Sequence, residues 1–220
     1  MITSHQYYKT KCLEHLDRVM VSHACAFTSP NEELSSKLQG TNEEKRQQFV
    51  NDIHFVALKT NFELFLARSL RQVWLEHFDH IRIGDSEKVA LAEVANLASV
   101  EDLRNFVVDQ LVPRHGLQRL GKAIQEVTGV SLPSIAGRHW PQVAITFGIR
   151  HLIEHGNGRT DSRFFDQQSG NWNGSSFSRR EIPSVGEKIE ILCTDIQASD
   201  NAMREVVPRL SARLSEWTPR

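Results

Sequence analysis

A mainly helical fold is predicted by three observations. Apolar residues recur at spacings of three and four through most of the 220 residues. The breaks between these runs carry Pro, Gly, Ser and Asn, which punctuate structure rather than propagate it. Only Lys188-Ile189-Glu190-Ile191-Leu192-Cys193 alternates apolar and polar residues as a strand does. Apolar residues make up 40%, enough in a chain of this length for one core, and neither an internal repeat nor a domain-scale linker divides it. The expectation is a single domain over 1–220. An N-terminal helix and loop occupy about 1–40, and a helical core over 41–217 carries a small β-hairpin near 175–193.

The elements follow in order. Tyr8, Cys12, Leu16, Val19 and Met20 fall at helical spacing within 4–27, a helix that ends before Thr28-Ser29-Pro30. Residues 28–41 read as a polar loop. Thr41-Asn42-Glu43-Glu44 is a capping-box pattern, in which hydroxyl and carboxylate satisfy free backbone N–H groups. It opens a long helix over about 43–80, with Phe49, Ile53, Val56, Leu64, Leu70 and Trp74 among its apolar positions. Residues 86–98 form a short helix rich in Ala and Leu, and Ser99-Val100-Glu101-Asp102 caps another that runs to about Leu111. Pro113 and Gly116 break the chain, and a helix over 117–128 stops at Gly129. Leu132-Pro133-Ser134 and Gly137 read as a loop. Residues 139–155, with Trp140, Val143, Ile145, Phe147, Ile149, Leu152 and Ile153, form a strongly apolar central helix. Gly156-Asn157-Gly158 stops it, because glycine or asparagine accepts the left-handed backbone of a helix cap. Residues 159–186 read as a long polar loop containing a short strand, 188–193 as the strand that follows, and Ile196 to about Trp217 as the closing helix.

Composition narrows the function classes. No stretch approaches the roughly 20 apolar residues of a membrane helix, and MITSHQYYKTKCLEH lacks the apolar segment of a secretion signal. The expected location is cytoplasmic, with no membrane partner. Cys12, Cys25 and Cys193 are odd in number and scattered, with no C-x-x-C, which argues against a disulfide framework and a cysteine zinc site. A net charge of −1 and a pI near 6.8 do not suit a protein that coats nucleic acid, so any such contact must come from a local patch. Neither a phosphate-binding or dinucleotide-binding glycine pattern nor a G-x-S-x-G nucleophile occurs.

The stretch IRHLIEHGNG, residues 149–158, admits three chemistries. His151-Leu152-Ile153-Glu154-His155 spells H-x-x-E-H, whose histidines four apart share one helix face and can hold zinc with Glu154 as base. A third ligand would come from Glu181, Glu187, Glu190 or Glu205, and nothing selects among them. Arg150 with His155 spells R-x-x-x-x-H, a cation and a proton carrier suited to a phosphodiester. Similar spacings occur at Arg18 to His23 and Arg71 to His77, but only the Arg150 pair lies in an apolar helix followed by a glycine-bounded turn. The third reading is structural: Arg150 and Glu154 form an ordinary helix ion pair, and His155 complements the helix dipole at the C-terminus.

IRHLIEHGNGRTD resembles the signature of HEPN domains (higher eukaryotes and prokaryotes nucleotide-binding), and the likeness extends loosely over about 45–215. Arg150 matches the arginine, His151 the polar neighbour, His155 the histidine and Gly156-Asn157-Gly158 the turn. Asn61-Phe62-Glu63-Leu64-Phe65-Leu66 resembles the acidic, aromatic helix of these domains. Position 151 is often Asn or Asp in the family and is His here. The resemblance implies a HEPN-like helical bundle and a metal-independent endoribonuclease that needs no cofactor, often a toxin or phage-defence effector held by an antitoxin or regulatory partner. The RNA 2′-hydroxyl attacks the adjacent phosphorus, leaving a 2′,3′-cyclic phosphate. Arg150 then steadies the phosphoryl charge, His155 carries the proton and His151 assists, with Glu63, Glu154 and Asn157 in support.

Arg150 and His155 lie about 140° apart on an ideal helix. Either the chain unwinds at Gly156 to re-aim His155, or a homodimer builds a composite site, as the resemblance implies. Arg138, Arg159, Arg163, Arg179 and Arg180 make the surrounding tract arginine-rich, and four of them (Arg159, Arg163, Arg179, Arg180) are candidate RNA contacts. Trp172 and Phe177 either stack on bases or pin the loop to the core. Glu63 either orients Arg150 or His155 or stands in solvent. His77, His80 and Asp79 read as a polar helix end, and Arg18 and His23 as surface residues. The alternative functions are a non-catalytic HEPN module for RNA binding or dimerisation, and the H-x-x-E-H zinc hydrolase.

Overall fold

A computed structural model describes residues 4–28, 43–80, 94, 97–113, 116–179 and 181–217. It is mainly helical, as the sequence predicts. The elements are α1 (Ser4–Thr28), α2 (Glu43–Glu76) with a 3-10 turn (Phe78–His80), α3 (Val100–Leu111), α4 (Leu117–Thr128), α5 (Leu132–Ala136), α6 (Trp140–Gly156), α7 (Ser162–Trp172) and α8 (Cys193–Ser215). Thr28, the first residue of the expected 28–41 loop, instead closes α1, and the rest of that loop, the Thr41 end of the capping box and most of the 86–98 helix lie outside the described residues.

α2 is the spine. α1 lies against α2 and α8, and α6 packs on α2, α7 and α8. The face of α2 that enters the core carries Phe55, Leu58, Phe62, Phe65, Leu66, Leu70 and Val73. Phe49, Ile53 and Leu64, three of the apolar positions expected to serve the core, are exposed. Ile53 and Phe55, like Phe62 and Leu64, are two residues apart and so point to nearly opposite sides. Periodicity alone does not say which of two apolar stripes faces inward. Cys12 and Leu16 belong to the same core, so α1 is part of it.

Several boundaries fall where their caps predicted. The Ser99 hydroxyl accepts the Asp102 N–H at 3.1 Å to start α3. Gly129, with φ of 70°, ends α4 in the left-handed region. Two expected loops are instead helices. At 132–136, Ser131 caps α5 by accepting the Ser134 N–H, and Pro133 sits in the first turn, where its missing N–H costs nothing. At 162–172, the Asp161 carboxylate accepts the Phe164 N–H at 2.6 Å, and α7 buries only Phe164 and Trp172. One narrow apolar edge on a polar helix leaves little periodic signal.

The β-hairpin expected near 175–193 does not form. No strand occurs among the described residues, only an isolated antiparallel bridge between Arg159 and Lys188. The alternation still records a half-buried extended chain, with Ile189 and Ile191 inside and Lys188 and Glu190 outside. Its expected partner is drawn elsewhere. Ser178 donates its N–H (2.7 Å) and hydroxyl (2.9 Å) to the buried Asp195 carboxylate, and Trp172 Nε1 donates to Arg179 O at 3.2 Å. A polar seam joins α6 to α8: Gln142 Nε2 donates to Ser199 Oγ at 3.0 Å, and Thr146 Oγ1 lies 2.9 Å from the same oxygen.

Candidate functional site

The site is built on the end of α6. Asn157 takes φ of 55° and ψ of 31°, the left-handed conformation expected at this turn. The Gly158 N–H donates to Leu152 O at 2.9 Å and the Arg159 N–H to Gly156 O at 2.9 Å. The helix keeps its form to Gly156, so the unwinding that would re-aim His155 is absent.

Four side chains form a continuous patch there. Arg150 Nη2 lies 2.5 Å from Glu154 Oε1, with the side chains 28% and 29% exposed. Arg150 Nε is buried and has no hydrogen-bond partner among the described residues. The other Glu154 oxygen, Oε2, is 3.9 Å from His155 Nε2, and the His155 side chain is 63% exposed. The His151 and His155 rings are 4.7 Å apart at 54°. Glu154 thus stands between guanidinium and imidazole, and His151 flanks His155. The patch can accept a proton, donate one and hold an oxyanion once Arg150 leaves Glu154. The helix ion pair of the structural reading is formed.

Other residues expected at the site lie elsewhere or serve other ends. Glu63 is buried, paired with Lys59, and accepts the Gly116 N–H at 2.7 Å. It ties α2 to the start of α4, and neither Arg150 nor His155 is among these partners. Asn157 acts through its backbone as a cap. Arg159 Nη1 donates to Gly186 O at 2.9 Å. Arg179 pairs with Glu187 at 2.6 Å, and that hydrogen bond, with a second from the Ser184 N–H, holds the Glu187 carboxyl below its ordinary range. Arg163 is exposed on the first turn of α7, and Arg180 lies outside the described residues. Trp172 and Phe177 are buried, with rings 5.1 Å apart, so they pin the loop and are not free to stack on bases.

In the two other arginine–histidine spacings Arg18 is exposed, as expected, and His23, Arg71 and His77 take structural roles. His23 is buried rather than on the surface, 2.9 Å from Asn51 Oδ1. Arg71 binds Asp109 and Asn105, and His77 packs on Trp217 with rings 4.6 Å apart. Asp79 faces Arg104 at 3.6 Å. Among the described residues no group of three His, Cys, Asp or Glu side chains comes together to hold a metal ion. His151, Glu154 and His155 therefore gain no third-ligand set, and Glu187 and Glu205 are paired with Arg179 and Arg209.

The sequence did not single out Asp195, which accepts from Ser178 and from the Leu192 N–H and so holds the segment beyond α7 against α8. Its position in the first turn of a helix was the available signal. No protein-family model, curated protein or solved structure matches the chain.

Proposed function

We propose that the end of α6 is a metal-independent ribonuclease site of the HEPN type, completed by a second copy of the chain. The observation that carries this reading is the gathering of Arg150, His151, Glu154 and His155 on one solvent-facing helix end, while His23 is buried against Asn51 and Arg71 is bound to Asp109. RNA brings its own nucleophile. His155 takes the proton from the 2′-hydroxyl as the new P–O2′ bond forms. The P–O5′ bond breaks, and the 5′-oxygen takes a proton from a second imidazole, His151 or the histidine of the partner subunit. Arg150 exchanges Glu154 for the phosphoryl oxygens, whose charge grows in the transition state. Five residues separate Arg150 from His155 on an intact helix, which is why a two-fold partner is invoked to complete the site. The cellular role that goes with this reading is a toxin or phage-defence effector restrained by a partner protein.

The Arg150–Glu154 contact also favours a second reading, a non-catalytic RNA-binding or dimerisation module, because it neutralises the cation that catalysis needs. Cleavage of mixed RNA in the presence of EDTA separates the two. The ribonuclease reading expects cleavage by the unmodified chain and a loss of at least about 100-fold in both Arg150→Ala and His155→Ala. RNA binding without cleavage by any form supports the module. Cleavage that EDTA abolishes returns the argument to His151, Glu154 and His155 as metal ligands.

A further inference from the structure

The extended run after the Val185-Gly186 turn has one edge paired and one edge bare. Ile189 N–H donates to Gly158 O and Thr160 N–H to Glu187 O, each at 2.9 Å, flanking the Arg159–Lys188 bridge. In such antiparallel pairing Lys188 turns its own N–H and C=O away from 158–160, and Glu190, two residues on, turns its groups the same way. Among the described residues nothing hydrogen-bonds to the N–H or C=O of either. The run is nonetheless held extended. Ile189 and Ile191 are buried, Asn51 Nδ2 donates to Ile191 O at 2.7 Å, and Leu192 N–H donates to Asp195 at 2.9 Å. Lys188, Glu190 and Leu192 alternate with the buried isoleucines and are exposed, as is Val185 at the turn. A cleft of about 340 Å³ opens along the bare edge.

We propose that the Lys188–Glu190 edge pairs antiparallel with the same edge of a second copy of the chain, about a two-fold axis at Ile189. The inference does not rest on the ribonuclease reading, since the edge is bare whatever the α6 end does. Bare N–H and C=O groups in alternation are what a strand pairs with. What selects a second copy is that the run is complementary to itself. With Ile189 on the axis, Lys188 of each copy lies directly opposite Glu190 of the other, and each such pair exchanges both of its N–H···O bonds. The same register sets the ammonium of one copy beside the carboxylate of the other, twice over. It also brings the exposed Leu192 to the exposed Val185-Gly186 turn of the other copy, where an added Cβ on Gly186 would meet nothing within 4 Å. Each copy has one bare edge here, so the pairing closes at a dimer. RNA fits the edge poorly, because Arg179 is neutralised by Glu187 at 2.6 Å and Glu190 repels phosphate. In the dimer the 158–160 segments of the two copies stand three strand spacings, about 14 Å, apart. The turns that end both α6 helices therefore flank one shared sheet.

The test is sedimentation equilibrium of the full chain. The unmodified chain is expected to dimerise with Kd below about 100 μM. Lys188→Glu or Glu190→Lys sets like charges across both pairs and should weaken self-association at least about ten-fold. An equal mixture of the two variants should associate as the unmodified chain does, because acid again meets base across the axis. Lys188→Glu also adds an acid near Asp52, whose carboxyl feels the charge at position 188. Glu190→Pro therefore provides a second arm. It removes an N–H that no group in the described chain uses, so the fold keeps its hydrogen bonds while the dimer loses its own. It should weaken association more than Glu190→Gln does. A monomeric unmodified chain at about 100 μM overturns the proposal, and leaves the edge to another occupant. So do dimers indifferent to Glu190→Lys and Glu190→Pro, which would place the contact on another face. RNA cleavage is read separately on the same samples. Dimers that respond to these variants but cut no RNA contradict only the ribonuclease reading, and dimers that cut RNA but ignore the variants contradict only this one.

Discussion

Burial decides the role of individual residues here more than residue type does. Cys12 shows it most simply. Burial pushes its thiol up to about 12, against a smaller opposing effect of Arg204. Cys25 and Cys193 are exposed. Ellman's reagent at pH 8 should therefore titrate these two cysteines quickly in the folded chain and Cys12 only after denaturant is added. Three fast thiols would mean that α1 does not rest on the core. The same distinction limited what could be read at the candidate site. Arg150 and His155 were legible because an apolar helix and a glycine-bounded turn surround them. The partners of Glu63 and the burial of Trp172 and Phe177 were not, because they depend on which segments meet in space.

At the scale of elements, caps were the most legible feature and weakly amphipathic helices the least. Ser99, Gly129 and Asn157 mark ends by local chemistry. α7 shows the core only Phe164 and Trp172, and the strand pattern at 188–193 named a conformation without naming a partner.

The contact of α1 with α2 carries a pH prediction. His54 Nδ1 lies 2.8 Å from Val50 O and so donates to it, which leaves Nε2 to accept from Ser22 Oγ at 3.1 Å when the ring is neutral. Burial, followed at some distance by the neighbouring His23, lowers the His54 pKa, outweighing the Val50 hydrogen bond. The unfolded chain then takes up this proton first as pH falls. The stabilising contribution is present above about pH 6.5 and is lost as pH falls through the folded value. Urea midpoints measured from pH 7.5 to 5.5 should fall more steeply for the unmodified chain than for His54→Gln. Equal slopes would contradict this account of the clasp. Asp52 and Asp200, raised by burial, act in the opposite sense and in the lower carboxylate range.

The α6–α7 contact depends on a missing side chain. A Cβ on Gly148 would lie 3.0 Å from the Phe164 ring and 3.2 Å from Gln168. Gly148→Leu should cost about 1–3 kcal/mol by forcing the helices apart, read as a lower urea midpoint. An unchanged midpoint would show that α7 yields freely.

For the whole molecule, the sequence was sufficient for a mainly helical core and for the central place of α6, and insufficient for how the pieces are tied. The ties are polar and long-range: Asn51 to Ile191, Gln142 to Ser199, and Glu63 to Gly116 join residues 53 or more positions apart. No periodic pattern encodes such pairs. The same would hold for the second subunit proposed above, which would leave no mark in one chain beyond an arginine and a histidine set five residues apart on one helix.

The central claim is that this helix end cuts RNA without a metal, and the 3′ end of the product tests it most directly. Mixed RNA is incubated with the chain in EDTA, and fragments are analysed by mass spectrometry before and after mild acid. Fragments ending in 2′,3′-cyclic phosphate, opened by acid to monophosphates with a gain of one water, are the predicted result. Fragments ending in a 3′-hydroxyl would contradict it, and so would intact RNA recovered from a folded, dimeric protein.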